Sequence, residues 1–161
     1  MIMKLIPISA ELIAPCGMNC AICSRYLSYV NELKHSQCIG CRPRNKRCAH
    51  LFKKCTGINN IAHGNAAFCF ECDQYPCKQI DRIDKRYRNN YKMSMKDNLE
   101  YIKKMGINKF IKEQYKKYHC VKCGGLISTH NGKCFKCETI TKLVDKKGLS
   151  ATLAGENNWR T

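Results

Sequence analysis

Fourteen of the 161 residues are cysteine, and this density constrains the fold more than any other feature of the sequence. Cysteine is counted within the 44% hydrophobic content, so few ordinary apolar side chains are left to build a core. A chain with a thin core usually depends on disulfide bonds or bound metal to offset the conformational entropy that it loses on folding. The sequence therefore predicts that the thiols are cross-linked.

The N-terminal residues indicate whether the cysteines form disulfides or bind metal. Residues 1–14 contain Pro7 and Glu11 and lack the apolar stretch of a signal peptide. No run reaches the roughly 18 apolar residues of a membrane span, and the mean hydropathy is −0.45. We therefore expect a cytoplasmic protein with no membrane segment, in which the cysteines bind metal.

The strongest motif is a pair of CxxC sequences near the C-terminus, separated by ten residues. Zinc ribbons use this spacing because each CxxC turn directs two sulfurs toward one tetrahedral ion. Between the pairs, residues 126–130 predict a strand, and Asn131 with Gly132 is typical of a hairpin turn. His119 and His130 are competing but less favoured ligands. The expected zinc ligands are Cys120, Cys123, Cys134 and Cys137.

The pairing of the ten cysteines before residue 78 is open. One set has two CxxC pairs separated by fourteen residues, which is close to zinc-site spacing. The irregular spacing of the others suits an iron–sulfur cluster as well as zinc. We expect two ions here and three zinc ions in total, with Cys16 and Cys77 as substitute ligands. The two sets are Cys20, Cys23, Cys38 and Cys41, and Cys48, Cys55, Cys69 and Cys72.

The sequence between the cysteine-rich parts predicts helices, because apolar residues recur there at helical spacing opposite lysine and arginine. Ser94 and Asp97 resemble a capping box at the start of the second helix, and Gly106 is placed to end it in the left-handed conformation. We therefore expect a small, metal-stapled α+β fold with N-terminal cysteine-rich knuckles, central helices and a C-terminal zinc ribbon. Its parts are a metal-binding region over 1–78, a helical segment over 79–118, the ribbon over 119–138 and a tail over 139–161.

The formal net charge is +17. Because metal-bound cysteines are thiolates, three Zn(Cys)4 sites would lower it to about +11. A basic protein suits an anionic partner such as nucleic acid, although the same lysines can serve solubility alone. The residues expected to contact phosphates are Lys78, Arg82, Arg86, Arg88, Lys112, Lys116 and Lys117.

The motifs also follow a recognisable order along residues 15–138. They are Cys16-Gly17 with Cys20 and Cys23, Cys38-x-Gly40-Cys41, the run over 69–77, Arg86-Tyr87-Arg88 and the two C-terminal CxxC pairs. In this combination the sequence resembles the cysteine-rich microbial family called domain of unknown function 3795. The resemblance implies a cytoplasmic, zinc-binding protein of bacteria or archaea with no assigned activity.

The sequence contains no Gly-rich phosphate loop, no HExxH, no GxSxG and no deaminase signature. Sites built wholly of cysteine are usually closed to substrate. We therefore favour a non-catalytic protein with structural zinc, acting as a nucleic-acid or protein interaction module. The alternatives are an iron–sulfur redox or sensor protein and a metal-handling protein with labile thiols.

Overall fold

The computed structural model describes residues 7–33, 38–42 and 67–139. Four α-helices lie in these ranges: α1 over Ser24–Val30, α2 over Lys78–Tyr91, α3 over Met95–Met105 and α4 over Ile107–Tyr118. Short 3-10 helices form at Ala10–Leu12, Cys20–Ile22 and Cys69–Glu71. None of the described helices is long and apolar enough to cross a membrane.

Extended structure in the described ranges is limited to three isolated antiparallel bridges. One joins Ile127 to Cys134 within the expected ribbon, but no strand forms over 126–130. The reason is a long-range contact: the Thr129 backbone N–H donates to the carbonyl of Ile22 rather than across the hairpin, so the ladder stops. The described fold is mostly helical, and the predicted α+β class and zinc ribbon are not confirmed.

Helix α3 packs against both α2 and α4. The predicted apolar stripes form part of one core, because Ile80, Leu99, Ile102 and Phe110 are all buried in the same hydrophobic cluster. Burying an isoleucine, leucine or phenylalanine side chain contributes about 1.5–3 kcal/mol. Met105, expected in the α3 stripe, is instead 45% exposed, because it is the last residue of the helix.

The junction between α2 and α3 is fixed by a buried carboxylate, that of Asp84. It accepts hydrogen bonds from Ser94 Oγ at 2.7 Å, from the Lys96 backbone N–H at 3.0 Å and from Arg88 Nε at 2.7 Å. Burial opposes ionisation, but these donors outweigh it and hold the pKa of Asp84 below its usual value. Ser94 Oγ also accepts from Asp97 N–H at 3.0 Å, so the predicted cap is present.

The turn between α3 and α4 differs from the prediction. Gly106 has φ 86° and ψ 160°, which is a positive φ but not the left-handed helical conformation. The physical reason is that Gly106 ends α3 and also begins α4, because its carbonyl accepts from Phe110 N–H at 3.2 Å. The chain therefore passes directly from one helix to the next, without a separate αL cap.

The N-terminal segment completes the core against these helices. Ile13, Ala21 and Ile22 are fully buried there. Two buried side-chain amides fix its position: Asn98 Nδ2 donates to the Gly17 carbonyl at 3.0 Å, and Asn19 Nδ2 donates to the side-chain carbonyl of Gln114 at 3.3 Å. These contacts place the first cysteines beside the helical part of the chain.

Candidate metal centre

The four cysteines of the expected ribbon lie together, and their sulfurs are all within 4.8 Å of one another. Cys120 Sγ is 3.7 Å from Cys137 Sγ, and Cys123 Sγ is 3.5 Å from Cys134 Sγ. Four sulfurs bound tetrahedrally to zinc, with Zn–S bonds of about 2.3 Å, would be about 3.8 Å apart. The cluster therefore has the dimensions needed to hold one metal ion.

The two CxxC turns have the same backbone geometry. In the first, Gly124 has φ 75° and its N–H donates to the Cys120 carbonyl at 2.7 Å. In the second, Glu138 has φ 61° and its N–H donates to the Cys134 carbonyl, also at 2.7 Å. Matching turns present two sulfurs each toward a common point, which is why the spacing predicts a site.

Gly125 lets the two turns approach each other. A Cβ atom at this position would lie 2.9 Å from Lys136 Cβ and 3.2 Å from Cys134 Sγ. Its N–H also donates to Cys123 Sγ at 3.4 Å. A larger residue here would push the second CxxC turn away from the first.

The four thiols differ in their environments. Burial raises the pKa of Cys134 to about 12. Hydrogen bonding to the Thr139 hydroxyl and N–H lowers the pKa of Cys137 to about 6, and Cys137 Sγ lies 3.2 Å from Thr139 Oγ1. Because metal ligation requires thiolates, loading of this cluster must release protons, including that of Cys134.

His130 has a role that sequence reasoning missed. Its Nδ1 accepts from the Ser24 backbone N–H at 3.2 Å, and Tyr87 Oη lies 2.9 Å from Nε2. The ring therefore joins the start of α1 and the middle of α2 to the segment that carries the cluster. His119 bonds elsewhere, since its Nδ1 lies 2.9 Å from the Lys116 carbonyl oxygen. The contacts of His130 join residues that are far apart in the chain, so the local sequence gives no signal of them.

The His130 contact predicts a pH dependence. Burial, together with nearby Arg86, lowers the pKa of His130 below its ordinary value of 6.5. As pH falls through 6.5, the unfolded chain takes up this proton before the folded chain does, so folding stability decreases. We expect His130→Asn, which keeps an acceptor at the Nδ1 position, to lose less stability than the wild type between about pH 8 and about pH 5. Chemical denaturation at several pH values measures the difference.

The two proteins have the same cysteines, so the comparison isolates the change at residue 130. His119→Asn is the matched control and should retain the wild-type pH slope, because the His119 ring contacts carbonyl oxygens of its own helix and does not join separate elements. Equal slopes for the wild type and His130→Asn would contradict the assignment.

The N-terminal ligand sets are only partly within the described residues. Cys20, Cys23, Cys38 and Cys41 are described, whereas Cys48 and Cys55 lie outside the described ranges. Among the residues described, the C-terminal four are the only group of three or more potential ligands whose ligand atoms all lie within 4.8 Å. None of the described cysteines, which include Cys16, Cys69, Cys72 and Cys77, forms a disulfide. The N-terminal ligand sets stay predictions.

The residues predicted to contact phosphates differ in exposure and in their ion pairs. Lys78, Arg82 and Arg86 are exposed on α2, and Lys112 and Lys116 are exposed on α4. Lys117 is half-buried, with Nζ 5.6 Å from the centre of the Tyr118 ring. Arg88 is half-buried too and pairs with Asp84 and Asp97, so its charge is already balanced within the fold.

Comparison with known proteins shows which part of the chain resembles a protein family. No curated protein and no solved structure matches the chain. A family model matches residues 12–82, which include the motifs from Cys16 to Cys77. The Arg86-Tyr87-Arg88 segment and the C-terminal cysteine cluster lie beyond the matched residues. The predicted resemblance is confirmed: the segment over residues 12–82 matches the family described as "Protein of unknown function (DUF3795)".

Proposed function

We propose that the protein is a zinc-binding interaction module in which Cys120, Cys123, Cys134 and Cys137 hold one structural ion. The observation that carries the proposal is the set of four sulfurs within 4.8 Å of one another. This spacing suits a single ion with four ligands, which leaves no open coordination position for substrate. Zinc is the favoured metal because four thiolates in tetrahedral geometry are typical of structural zinc sites.

Metal analysis of the full chain, purified without oxygen, tests this proposal. We expect zinc in the wild type and one zinc fewer in Cys123→Ser. Iron with visible charge-transfer absorption, lost in the same variant, would favour an iron–sulfur or iron–thiolate redox protein instead. Rapid loss of the ion to a weak chelator would favour a metal-handling role, because a structural ion is held tightly.

For the partner, we propose nucleic acid bound through its phosphates. The formal charge stays positive after correction for bound zinc, and α2 exposes Lys78, Arg82 and Arg86 at successive turns of one face. Lysine and arginine at an exposed helix face neutralise phosphates without reading base sequence. We therefore expect weak binding with little sequence preference.

Duplex DNA binding should weaken steeply with salt, with a slope of about −0.9 per phosphate contact in a plot of log affinity against log salt concentration. Changing Lys78 and Arg86 to Gln should reduce the slope by about 1.8, the loss of two such contacts. Lys103→Gln, at an exposed position on α3, is the matched control and should keep the wild-type slope. No binding at about 50 mM salt would rule out nucleic acid and favour a protein partner.

A further inference from the structure

Thr129 and His130, at the tip of the C-terminal hairpin, contact the residues on both sides of Cys23. The Thr129 backbone N–H donates to the Ile22 carbonyl at 3.0 Å. His130 Nδ1 accepts from the Ser24 backbone N–H at 3.2 Å, a contact between residues 106 positions apart. The backbone before Cys23 and the backbone after it are therefore both hydrogen-bonded to the hairpin tip.

Helix α1 depends on this contact at its first residue. The helix has only seven residues, and the side chain of its N-cap, Cys23, makes no capping hydrogen bond. The first N–H groups of any helix have no partner within the helix. The His130 ring supplies an acceptor to one of them, the N–H of Ser24. A helix this short is not stable by itself, so its order depends on tertiary contacts of this kind.

Helix α2 holds the His130 ring in place. Because Nδ1 accepts a hydrogen bond, the neutral ring carries its proton on Nε2, which lies 2.9 Å from Tyr87 Oη. The rings of Tyr87 and Tyr91 meet the His130 ring edge to face, with centroids 5.7 Å and 4.9 Å away. The ring is thus fixed by α2 on one side and offers its acceptor to α1 on the other.

The hairpin tip lies between the two CxxC pairs of the C-terminal cluster. The Ser128 backbone N–H donates to the Lys133 carbonyl at 2.9 Å, which closes the hairpin directly before Cys134. Ser128, Thr129 and Cys134 are fully buried. An isolated hairpin is marginally stable at best, and metal ligation supplies folding free energy. The position of the tip therefore depends on ligation at Cys123 and Cys134.

We propose that metal ligation at the C-terminal cluster is coupled, through the hairpin tip, to the order of the backbone around Cys23. This coupling rests on the structural ion proposed above and gives that ion a second role. From a site outside the family-matched residues 12–82, the ion fixes a turn inside them. His130 is the positioning residue of the contact. Because coupling between two sites is reciprocal, loss of the tip contact also weakens metal binding at the cluster.

Amide hydrogen exchange of the zinc-loaded full chain tests the coupling. We expect Cys134→Ser to lose protection over residues 22–30 as well as in the hairpin. Helix α3 should stay protected, because Leu99 and Ile102 hold it in the main core. Val121→Ser is the matched control, since Val121 is 77% exposed, and it should keep wild-type protection in all three segments. Equal exchange over 22–30 in the wild type and Cys134→Ser would overturn the coupling.

Two substitutions at His130 test the positioning role by metal affinity. His130→Phe keeps a ring beside the two tyrosines but offers no acceptor to Ser24, whereas His130→Asn keeps an acceptor. In chelator competition we expect His130→Phe to lower the zinc affinity of the C-terminal cluster about 5- to 150-fold, the usual range of coupling between sites. His130→Asn should stay near the wild type. Equal affinities in the two variants would overturn the positioning role.

Thr129→Val is the matched control at the tip. It keeps the backbone donor and the shape of the side chain, and the hydroxyl oxygen that it removes has no hydrogen-bond partner among the described residues. The zinc affinity of Thr129→Val should therefore equal that of the wild type. A loss as large as that in His130→Phe would mean that any change at the tip weakens the cluster and would overturn the specific role of His130.

Zinc stoichiometry distinguishes failure of the coupling from failure of the proposed structural site. If the wild type and Cys134→Ser bind the same number of zinc ions, the structural site is wrong and the coupling is wrong with it. If Cys134→Ser binds one zinc fewer but keeps wild-type exchange over residues 22–30, the site stands and only the coupling is wrong.

Discussion

Replacement of Cys134 by serine is expected to abolish metal binding at the C-terminal cluster and to unfold residues 119–139 locally. Cys134 is fully buried, and its backbone N–H donates to the Thr139 carbonyl at 2.9 Å. Structural zinc supplies roughly 10–16 kcal/mol of binding free energy, whereas an isolated hairpin is marginally stable at best. Amide hydrogen exchange over this segment and thermal melting of the whole chain measure the loss.

Removal of the ion from the wild type by a chelator should reproduce the effect of the substitution. Val121→Ser is the matched control, because Val121 lies inside the first CxxC turn but is 77% exposed and offers no ligand atom. It should keep the ion and the wild-type melting temperature. Full metal stoichiometry and unchanged melting in Cys134→Ser would show that the cluster is not a metal site.

The second large effect is expected at Gly17. This residue has φ 87°, and a Cβ atom there would lie 2.9 Å from the Met95 carbonyl oxygen and 3.0 Å from Leu99 Cγ. Positive φ costs a residue with a side chain about 1–2 kcal/mol, and overpacking a core costs about 1–3 kcal/mol more. We therefore expect Gly17→Ala to lower the free energy of unfolding by about 2–5 kcal/mol, measured as a lower urea midpoint.

Gly106→Ala separates the cost of a positive φ from the cost of overpacking. Gly106 has nearly the same φ, 86°, but apart from its two neighbours in the chain no residue has an atom within 4 Å of the position that its Cβ would take. The variant should therefore show the backbone cost without the steric cost. Equal losses in the two variants would mean that the approach of residue 17 to α3 contributes nothing to stability.

The helical part of the fold was largely predictable because its signals are local. The apolar spacing of Ile80, Leu99, Ile102 and Phe110 identifies the buried faces, and Ser94 caps Asp97 as expected. Asp97 was expected to complete a capping box. Its carboxylate instead lies 3.2 Å from a guanidinium nitrogen of Arg88, a partner from another helix. The strand predicted over 126–130 is also absent because of a distant partner. The Thr129 backbone N–H donates to the carbonyl of Ile22, which lies far away in the sequence.

The sequence by itself determined that Cys120, Cys123, Cys134 and Cys137 form one cluster, because two short turns of fixed spacing present four sulfurs over a small distance. The described structure places these four together. Spacing could not settle the N-terminal cysteines, because they come from segments far apart in the chain. Only the tertiary structure shows which of those segments meet.

Three residues illustrate what tertiary structure alone decided. Gly17 touches α3, His130 joins the cluster segment to α1 and α2, and Arg42 anchors Cys41 to the rest of the N-terminal part. Each contact spans 25 or more positions, and each depends on how separate segments pack rather than on their own residue pattern. Short-range periodicity and ligand spacing fix helices and turns, whereas packing against distant backbone fixes where those elements meet.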